Sequence, residues 1–363
     1  MKLKPNFERF RAAVNHQETD RVPFYELLVD YGIQSRFIGR EVKADDLKSQ
    51  VEFWASAGYD FIPITVGMME PGGVTKESAI SKVIEEIVLE DAEETEERHD
   101  PAWSLEYHSF IKDRADFEAF PWDVLAELNY DKFENVKPYL PDGMKVIAVS
   151  GKIFTLTWML MGFNHFALSL TDDKALVADV FNRVAEIQYQ SLTKVLSMNH
   201  IGAVWTVDDI AMGNGPMIMP EIFREFLFPS YKKMARMCHD SDRIFGMHTD
   251  GDITKLMGDL IDVGIDVLHP IDPTCMDIHK AKKEFGNKIC LAGNVSNEML
   301  QNATPAEIEA RVKVLLRDIA PGGGYLLSAG NSVPAWAEYE NYKAMIETGL
   351  EYGRYPINIQ EEI

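Results

Sequence analysis

The chain has 363 residues, of which 46% are hydrophobic, enough to form one large buried core. Its 36 Lys and Arg residues against 58 Asp and Glu residues give a formal charge of −22, which argues against nucleic acid or an anionic membrane as a partner. No run of about 18 apolar residues offers a membrane span, and the start lacks the apolar core of a signal peptide, so we expect a cytoplasmic protein.

Eight short strand-like runs recur along the chain, and amphipathic stretches with apolar residues at helical spacing lie between most of them. The runs are residues 22–26, 60–66, 145–150, 203–209, 243–250, 266–272, 288–294 and 324–331. Eight strands that each lead into a helix predict an α/β fold, the (β/α)8 TIM barrel, as a single domain over residues 1–363.

Two segments depart from this alternation. Residues 6–17 predict an N-terminal helical extension with Phe7, Phe10 and Ala13 on one face, packed outside the barrel. Residues 68–142 are long, very acidic around positions 85–100, and alternate in polarity over 82–89. We interpret them as an inserted hairpin after strand two, followed by short helices, lying over the barrel mouth.

Helix boundaries and cysteines give further expectations. Thr304, Pro305 and Glu307 place a cap, a first-turn proline and an acidic residue where a helix should begin. The three cysteines have no CxxC spacing, so neither a disulfide framework nor a zinc ribbon is predicted. Buried apolar thiols are their simplest interpretation.

Polar residues close the predicted strands four to eight: Asp208, Asp209, His248, Asp250, Asp272, Asn294 and Asn331. Barrels carry their chemistry at the carboxyl ends of the strands, so these side chains should share one mouth. Crowded carboxylates are unfavourable unless a cation or shared protons compensate, and one His with two carboxylates is an accepted ligand set for catalytic zinc. The alternative is that the carboxylates cap helices and are solvated, and one of two adjacent aspartates must point away.

Residues 154–163, after the third predicted strand, are rich in aromatic and methionine side chains. Such stripes usually form a core helix. Because the segment follows a strand end, Trp158 or Phe163 could instead form the wall of a pocket.

Several motifs occur in an order that resembles the uroporphyrinogen decarboxylase superfamily. They are RFRAA at 9–13 with DRVP at 20–23, DDIA at 208–211, HTDG at 248–251, and PGGGY at 321–325 followed by Asn331. The resemblance covers nearly the whole chain. It implies a (β/α)8 barrel and a place among porphyrinogen decarboxylases or the zinc-dependent methyltransferases that work with corrinoid proteins.

Departures from the family pattern separate these branches. The decarboxylases carry an arginine-rich segment after strand one and an aspartate after strand two, but residues 25–30 contain no arginine and residues 65–67 no aspartate. An acidic mouth would also repel an octacarboxylate porphyrinogen. Decarboxylation of that substrate is therefore not expected.

The thiol methyltransferases of the family hold zinc with His-x-Cys on strand five and a further Cys on strand eight. This chain has His248, Asp250 and Asn331 at those positions. Oxygen ligands leave a metal harder and more Lewis-acidic than thiolates do, which suits an ether oxygen. The resemblance therefore favours the branch similar to O-demethylases, in which a methyl group passes from a small methoxylated, aromatic substrate to cobalamin carried by a partner corrinoid protein.

This interpretation assigns roles to residues. The predicted zinc ligands are His248, Asp250 and Asp272, with Cys275 as a spare. The predicted catalytic residues are Asp208, Asp209 and Asn331, one of the aspartates being a fourth ligand or an acid near the leaving oxygen. The predicted substrate-binding residues are Trp158, Phe163, Tyr25 and Asn294.

Other functions stay open. They are a decarboxylase or other lyase acting on a small acid, methyl transfer from a corrinoid to another acceptor, and a non-catalytic ligand-binding relative. A lyase of this kind predicts a cationic residue in the pocket, and the predicted strand ends show none.

Overall fold

The computed structural model describes residues 4–66 and 109–360. Its strands are β1 Phe61–Thr65, β2 Lys145–Ser150, β3 Ile201–Val207, β4 Ala211–Met212, β5 Gly215–Pro216, β6 Ile244–His248, β7 Val267–His269, β8 Cys290–Val295 and β9 Tyr325–Ala329. Seven of them form one parallel sheet in the order β1-β2-β3-β6-β7-β8-β9, while β4 and β5 form a small antiparallel ribbon.

Helices follow most of the strands, as the alternation predicts. They are Phe7–Val14, Tyr31–Ile38, Leu47–Ser56, Arg114–Ala119, Trp122–Ala126, Asp131–Val136, Ile153–Met161, Phe163–Asp172, Lys174–Leu196, Pro220–Ile222, Phe228–Asp240, Met257–Val263, Ile278–Phe285, Asn297–Asn302, Pro305–Ile319 and Tyr339–Tyr352. A 3-10 turn spans Lys137–Tyr139 and a π-helical turn spans Phe223–Leu227.

The sheet is strongly curled around its own side chains. The ring of Tyr25 lies 5.7 Å from that of Phe61 on β1, 4.6 Å from that of Trp205 on β3 and 4.7 Å from that of His269 on β7. In a flat sheet β1 and β7, four strands apart, would be separated by about 19 Å. One ring contacts both because the sheet wraps around it.

The first predicted strand, residues 22–26, lies beside β9. Phe24 forms an isolated parallel bridge with Leu327, and the Tyr25 N–H donates to the Leu327 carbonyl at 3.0 Å. The sheet itself has β1 and β9 as its edges. The predicted α/β architecture with a curled parallel sheet is therefore confirmed as TIM-barrel-like, whereas closure into an eight-stranded (β/α)8 barrel stays a prediction.

The N-terminal helix Phe7–Val14 forms the floor of the barrel-like sheet, which corrects the expectation that it packs outside. Its first N–H, that of Phe7, donates to the Gly143 carbonyl just before β2, and the Ala13 carbonyl accepts from Gly324 just before β9. Phe10 is fully buried against the interior rings of β1 and β3. Burial of Phe10 draws the helix across the amino ends of the strands.

Only part of the predicted insertion can be compared with the structure. The hairpin predicted at residues 82–89 lies outside the described residues. Residues 109–142 contain the three short helices that begin at Arg114, Trp122 and Asp131. Placement of the insertion over the mouth stays a prediction.

Two local predictions are confirmed. Helix Pro305–Ile319 begins with a capping box, in which the Thr304 hydroxyl accepts from the Glu307 N–H and the Glu307 carboxylate accepts from the Thr304 N–H. Such a box typically contributes about 1 kcal/mol. Cys238 and Cys290 are buried thiols, as expected.

Within residues 4–66 and 109–360, no single helix has the length and apolar character needed to cross a membrane. Helices Ile153–Met161 and Phe163–Asp172 reach those values only when taken together, and they meet at a bend of 92°.

Candidate metal centre

Asp209, His248 and Asp250 form a compact group at the carboxyl ends of β3 and β6. One potential ligand atom from each side chain lies within 4.8 Å of the other two. Val207 pairs in register with His248 on the neighbouring parallel strand, so the residues that follow both strands meet at one edge of the sheet. Nε2 of His248 lies 3.8 Å from Oδ1 of Asp250.

The loop after β6 is fixed by backbone contacts. The Asp250 N–H donates to Oδ1 of Asp209 at 3.1 Å, and the Gly251 N–H donates to Oδ2 of Asp272 at 3.2 Å. Gly251 has a φ of 91°, and a Cβ there would lie 2.6 Å from the carbonyl carbon of Ala211. Glycine is therefore required for the turn that presents Asp250.

One carboxylate oxygen of Asp250 accepts a hydrogen bond, and the other has no partner among the described residues. Its Oδ2 accepts a 2.7 Å hydrogen bond from Nδ2 of Asn331, whose Oδ1 accepts from the Ser332 N–H at 2.6 Å. Its Oδ1 is buried and has no hydrogen-bond partner among the described residues. A buried, unpartnered carboxylate oxygen beside an imidazole nitrogen and a second carboxylate fits a divalent cation such as zinc.

Asp272 lies beside this group but is held by other contacts. Its Oδ1 accepts from the N–H and the hydroxyl of Thr274, at 2.9 and 2.7 Å, and its Oδ2 accepts from Gly251. Burial acts to raise the pKa of Asp272, but these hydrogen bonds outweigh it and the pKa is lowered. The structure thus brings Asp209, rather than the predicted Asp272, together with His248 and Asp250.

Cys275, the predicted spare ligand, is directed toward the backbone. Its Sγ lies 4.0 Å from the carbonyl oxygen of Asp272. Burial raises the pKa of this thiol to about 11, so it stays protonated at neutral pH. Its Sγ lies beside the Asp272 backbone and outside the Asp209, His248 and Asp250 group.

Asp208 and Asp209 have different environments, which resolves the ambiguity between them. Asp208 is fully buried, and its two oxygens accept hydrogen bonds of 2.7–2.8 Å from the N–H groups of Phe154 and Thr155 and the hydroxyls of Thr155 and Tyr231. Burial raises the pKa of Asp208, against these hydrogen bonds. Asp208 therefore anchors the start of helix Ile153–Met161, while Asp209 faces the candidate metal centre.

Protonation in the group follows from burial and like charge. Burial, followed by repulsion from Asp209 and Asp272, raises the pKa of Asp250 to about 7. Burial lowers the pKa of His248 to about 4. Near neutral pH the imidazole is therefore neutral, with a lone pair available for a metal, and Asp250 is partly protonated.

Lys152 is a cation at this mouth that sequence reasoning missed, and it corrects the statement that the strand ends show none. It lies two residues past the end of β2, is 6% exposed and has a φ of 76°. Its charge lowers the pKa values of both His248 and Asp250. Its position directly after a predicted strand was the signal that could have identified it.

His269 is the second residue that sequence reasoning missed. It is fully buried on β7, in register with His248 on β6, and the two Nδ1 atoms lie 2.8 Å apart. Burial, with a further contribution from His248, holds the pKa of His269 well below its usual range. In the sequence His269 lies inside a predicted strand, and only residues at the ends of strands were predicted to form the site.

The predicted substrate-binding residues fall into two sets. Trp158 and Phe163 are half-buried and meet edge to face at 5.6 Å, and the Trp158 indole N–H is buried with no partner in the described part of the chain. Tyr25 is wholly buried, with its ring 4.7 Å from that of His269. Asn294 is also buried, with its amide bonded to the Ile271 carbonyl and to Arg311. The first set stays a candidate wall and the second packs in the interior, and a role in substrate binding stays a prediction for all four residues.

The fold and this site define a barrel-like α/β protein with carboxylates and an imidazole gathered at the carboxyl ends of its strands. Residues 108–352 match the model of the uroporphyrinogen decarboxylase (URO-D) family, and the chain belongs to this family. The resemblance inferred from the motifs is thereby confirmed.

Individual relatives share a third or less of their residues with this chain over the matched regions. The uroporphyrinogen decarboxylase of Vesicomyosocius okutanii is 25% identical over 250 residues, which cover 65% of this chain and 69% of that protein. The decarboxylase of Neisseria meningitidis is 33% identical over 92 residues, and this match spans only 25% of either chain. A methyltransferase from Methanosarcina mazei shares the fold, with a TM-score of 0.64 and 15% identity over 95% of this chain and 98% of that one.

Proposed function

We propose that this protein is a methyltransferase that moves a methyl group from a small methoxylated aromatic substrate to the cobalamin of a partner corrinoid protein. The observation that carries the proposal is the Asp209–His248–Asp250 group with its unpartnered Asp250 oxygen. Shared fold with a methyltransferase supports it. When bound in this group, zinc would supply a Lewis acid that polarises the ether oxygen.

Each residue of the site would have a separate role in this reaction. Nε2 of His248 and carboxylate oxygens of Asp209 and Asp250 would hold the ion. Asn331 keeps Oδ2 of Asp250 occupied, so that Oδ1 faces His248. The positive charge of Lys152, beside the group, would stabilise the negative charge that develops on the oxygen as the methyl–oxygen bond breaks and its electron pair stays on oxygen.

The substrate would lie between this group and the aromatic pair Trp158 and Phe163. Their perpendicular rings offer the apolar wall typical of small-molecule sites. The partner corrinoid protein would cover the mouth during methyl transfer, as the reduced cobalt must reach the methyl carbon.

Lys152 also favours a second candidate, a decarboxylase or other lyase acting on a small carboxylic acid. A buried ammonium close to His248 and Asp250 could pair with a substrate carboxylate. This candidate requires no corrinoid. It predicts release of carbon dioxide, or of another leaving group, from a small acid alone.

The first experiment is metal analysis of protein purified without a His tag. We expect stoichiometric zinc in the wild type and in His239→Ala, which alters an exposed histidine, and loss of zinc in His248→Ala. An empty site in wild-type protein that is nevertheless active would overturn the zinc mechanism.

The second experiment tests the reaction. The protein is incubated with cob(I)alamin and a panel of methoxylated phenols, methylamines and methyl thioethers, while cob(I)alamin absorbance and product formation are followed. Demethylated phenol formed together with loss of the cob(I)alamin band supports the proposal. Silence across all three classes, with turnover of a small acid, would favour the lyase instead.

A further inference from the structure

The imidazoles of His248 and His269 form a buried pair next to the candidate metal centre. The residues lie in register on adjacent parallel strands, so both side chains point to the same, interior face of the sheet. They are 4% and 0% exposed, their ring centroids are 5.0 Å apart, and the two Nδ1 atoms are separated by 2.8 Å. That distance is a hydrogen bond in which one ring donates and the other accepts.

The direction of this hydrogen bond decides which nitrogen of His248 is available. If Nδ1 of His248 donates, its proton is on Nδ1 and Nε2 carries a lone pair. Nε2 is the atom that faces Oδ1 of Asp250, at 3.8 Å. Only this tautomer can offer a ligand nitrogen to a cation held with Asp209 and Asp250.

His269 is itself held in place by the interior packing. Its ring meets that of Tyr25 at 4.7 Å with an interplanar angle of 60°, and Tyr25 stacks on Trp205 at 4.6 Å. All three residues are at most 1% exposed. A ring buried on this aromatic layer has few rotamers open to it, so it can fix the orientation of a neighbour.

We infer that His269 is the positioning residue of the candidate metal centre: its Nδ1 accepts from Nδ1 of His248 and thereby presents Nε2 of His248 to Asp209 and Asp250. The inference rests on the proposed function for the identity of the group that Nε2 binds. A neutral imidazole acceptor makes the ligand less basic than a carboxylate would, which keeps a bound ion more electrophilic.

The inference is tested with His269→Asn and His269→Leu. The Oδ1 atom of Asn can replace the Nδ1 acceptor, whereas Leu fills a similar volume without an acceptor. Because Asn is smaller and polar, a merely structural role predicts that Asn is the more damaging change. A positioning role predicts that Asn is the better tolerated one at the metal centre.

The first measurement needs no metal. In metal-free protein labelled with nitrogen-15 at its nine histidines, we expect His248 as the Nδ1–H tautomer in the wild type and in His269→Asn. We expect the Nε2–H tautomer in His269→Leu. An Nε2–H tautomer in the wild type, or no change in His269→Leu, would overturn the inference.

The second measurement is cobalt(II) binding to the same proteins, by absorption spectroscopy with a competing chelator. We expect the dissociation constant to rise about 10–100-fold in His269→Leu and to be largely restored in His269→Asn. Equal losses in both variants would contradict positioning. If the tautomers behave as expected while the wild type binds neither cobalt nor zinc, the positioning stands and the proposed metal-dependent function fails.

Discussion

Nδ2 of Asn331 donates a 2.7 Å hydrogen bond to Oδ2 of Asp250 across the mouth of the curled sheet. Asn331 follows β9 and Asp250 follows β6, and two other strands lie between these in the sheet. In a flat sheet the two strands would be about 14 Å apart. The hydrogen bond therefore depends on curvature, and it fixes the Asp250 oxygen that is left to face His248.

Replacement of Asn331 by Leu should weaken metal binding. The hydrogen bond from Asn331 lowers the pKa of Asp250, so its loss makes the carboxylate harder to deprotonate and less well oriented. We expect cobalt(II) affinity near neutral pH to fall about 10-fold, as is typical when an outer-shell partner is removed. Titration with cobalt(II) measures this, and Ser332→Ala, which keeps the backbone N–H, is the matched control.

The adjacent residues Asp208 and Asp209 should separate stability from metal binding. Asp208→Ala leaves four buried donors without an acceptor and should lower the free energy of unfolding by about 3 kcal/mol. Asp209→Ala should change the unfolding free energy little and abolish tight cobalt(II) binding. Urea denaturation with metal titration tests both variants, and the reverse pattern would show that the roles are exchanged.

The stability of metal-free protein should depend on pH through Asp250. Its pKa of about 7, against an ordinary value of 3.8, means that the folded protein holds this proton more tightly than the unfolded chain. Asp250 therefore does not change the free energy of unfolding at low pH, where it is protonated in both states. As the pH rises from 3.8 toward 7, it lowers the free energy of unfolding, because the unfolded chain loses this proton first. Because the side chain is 38% exposed, we discount the shift for screening and expect Asp250→Asn to gain about 1 kcal/mol over wild type above neutrality.

This gain should disappear in acid. Urea denaturation of Asp250→Asn and wild type is compared at one pH below 3.8 and one pH above the folded-state pKa of about 7. The change in their difference isolates the contribution of Asp250 from that of other groups. A constant difference at both pH values would contradict a raised pKa.

Lys152 combines a charge with a left-handed backbone, and two substitutions separate them. Both Lys152→Met and Lys152→Gly remove the charge that lowers the pKa of Asp250, so the pH at which cobalt(II) binds should move upward in both. Glycine also relieves the φ of 76°, and Lys152→Gly should be more stable than Lys152→Met by about 1 kcal/mol. Thermal or urea unfolding with pH-dependent metal titration measures the two effects.

Substrate contact by the aromatic wall can be tested at Trp158. Trp158→Ala should raise KM for a methoxylated aromatic substrate with a smaller change in kcat, because the ring would contribute binding and not chemistry. Leu168→Ala, which alters an exposed side chain on the following helix, is the control. An unchanged KM would place the substrate elsewhere.

Local patterns in the sequence predicted most of the architecture. Seven of the eight strand-like runs overlap strands of the sheet, and the capped start of helix Pro305–Ile319 is found where Thr304 and Pro305 place it. Such features depend on neighbours along the chain. The remaining run is the first along the chain, residues 22–26. It lies beside β9, but it forms an isolated bridge there and not a regular strand.

Polar residues at the predicted strand ends indicated the mouth, but not which side chains meet within it. Position along the chain cannot tell which of the adjacent carboxylates of Asp208 and Asp209 turns inward. Asp272 was the predicted ligand, because its hydrogen bonds from Thr274 become visible only in three dimensions. Lys152 was missed because it follows the third predicted strand, where only the aromatic segment 154–163 was considered, and His269 was missed because it lies within a strand.

The sequence by itself determined the family, the alternation of strands and helices, and the edge of the sheet at which the ionisable residues gather, because these follow from hydrophobic periodicity and motif order. Tertiary structure decided which of those residues meet. Curvature of the sheet brings β9 to β6 and pairs His248 with His269 across neighbouring strands. Burial at this mouth then sets the protonation of Asp250 and His248, because removing a charged group from water shifts its pKa. The extent of burial depends on the tertiary structure and cannot be read from position in the sequence.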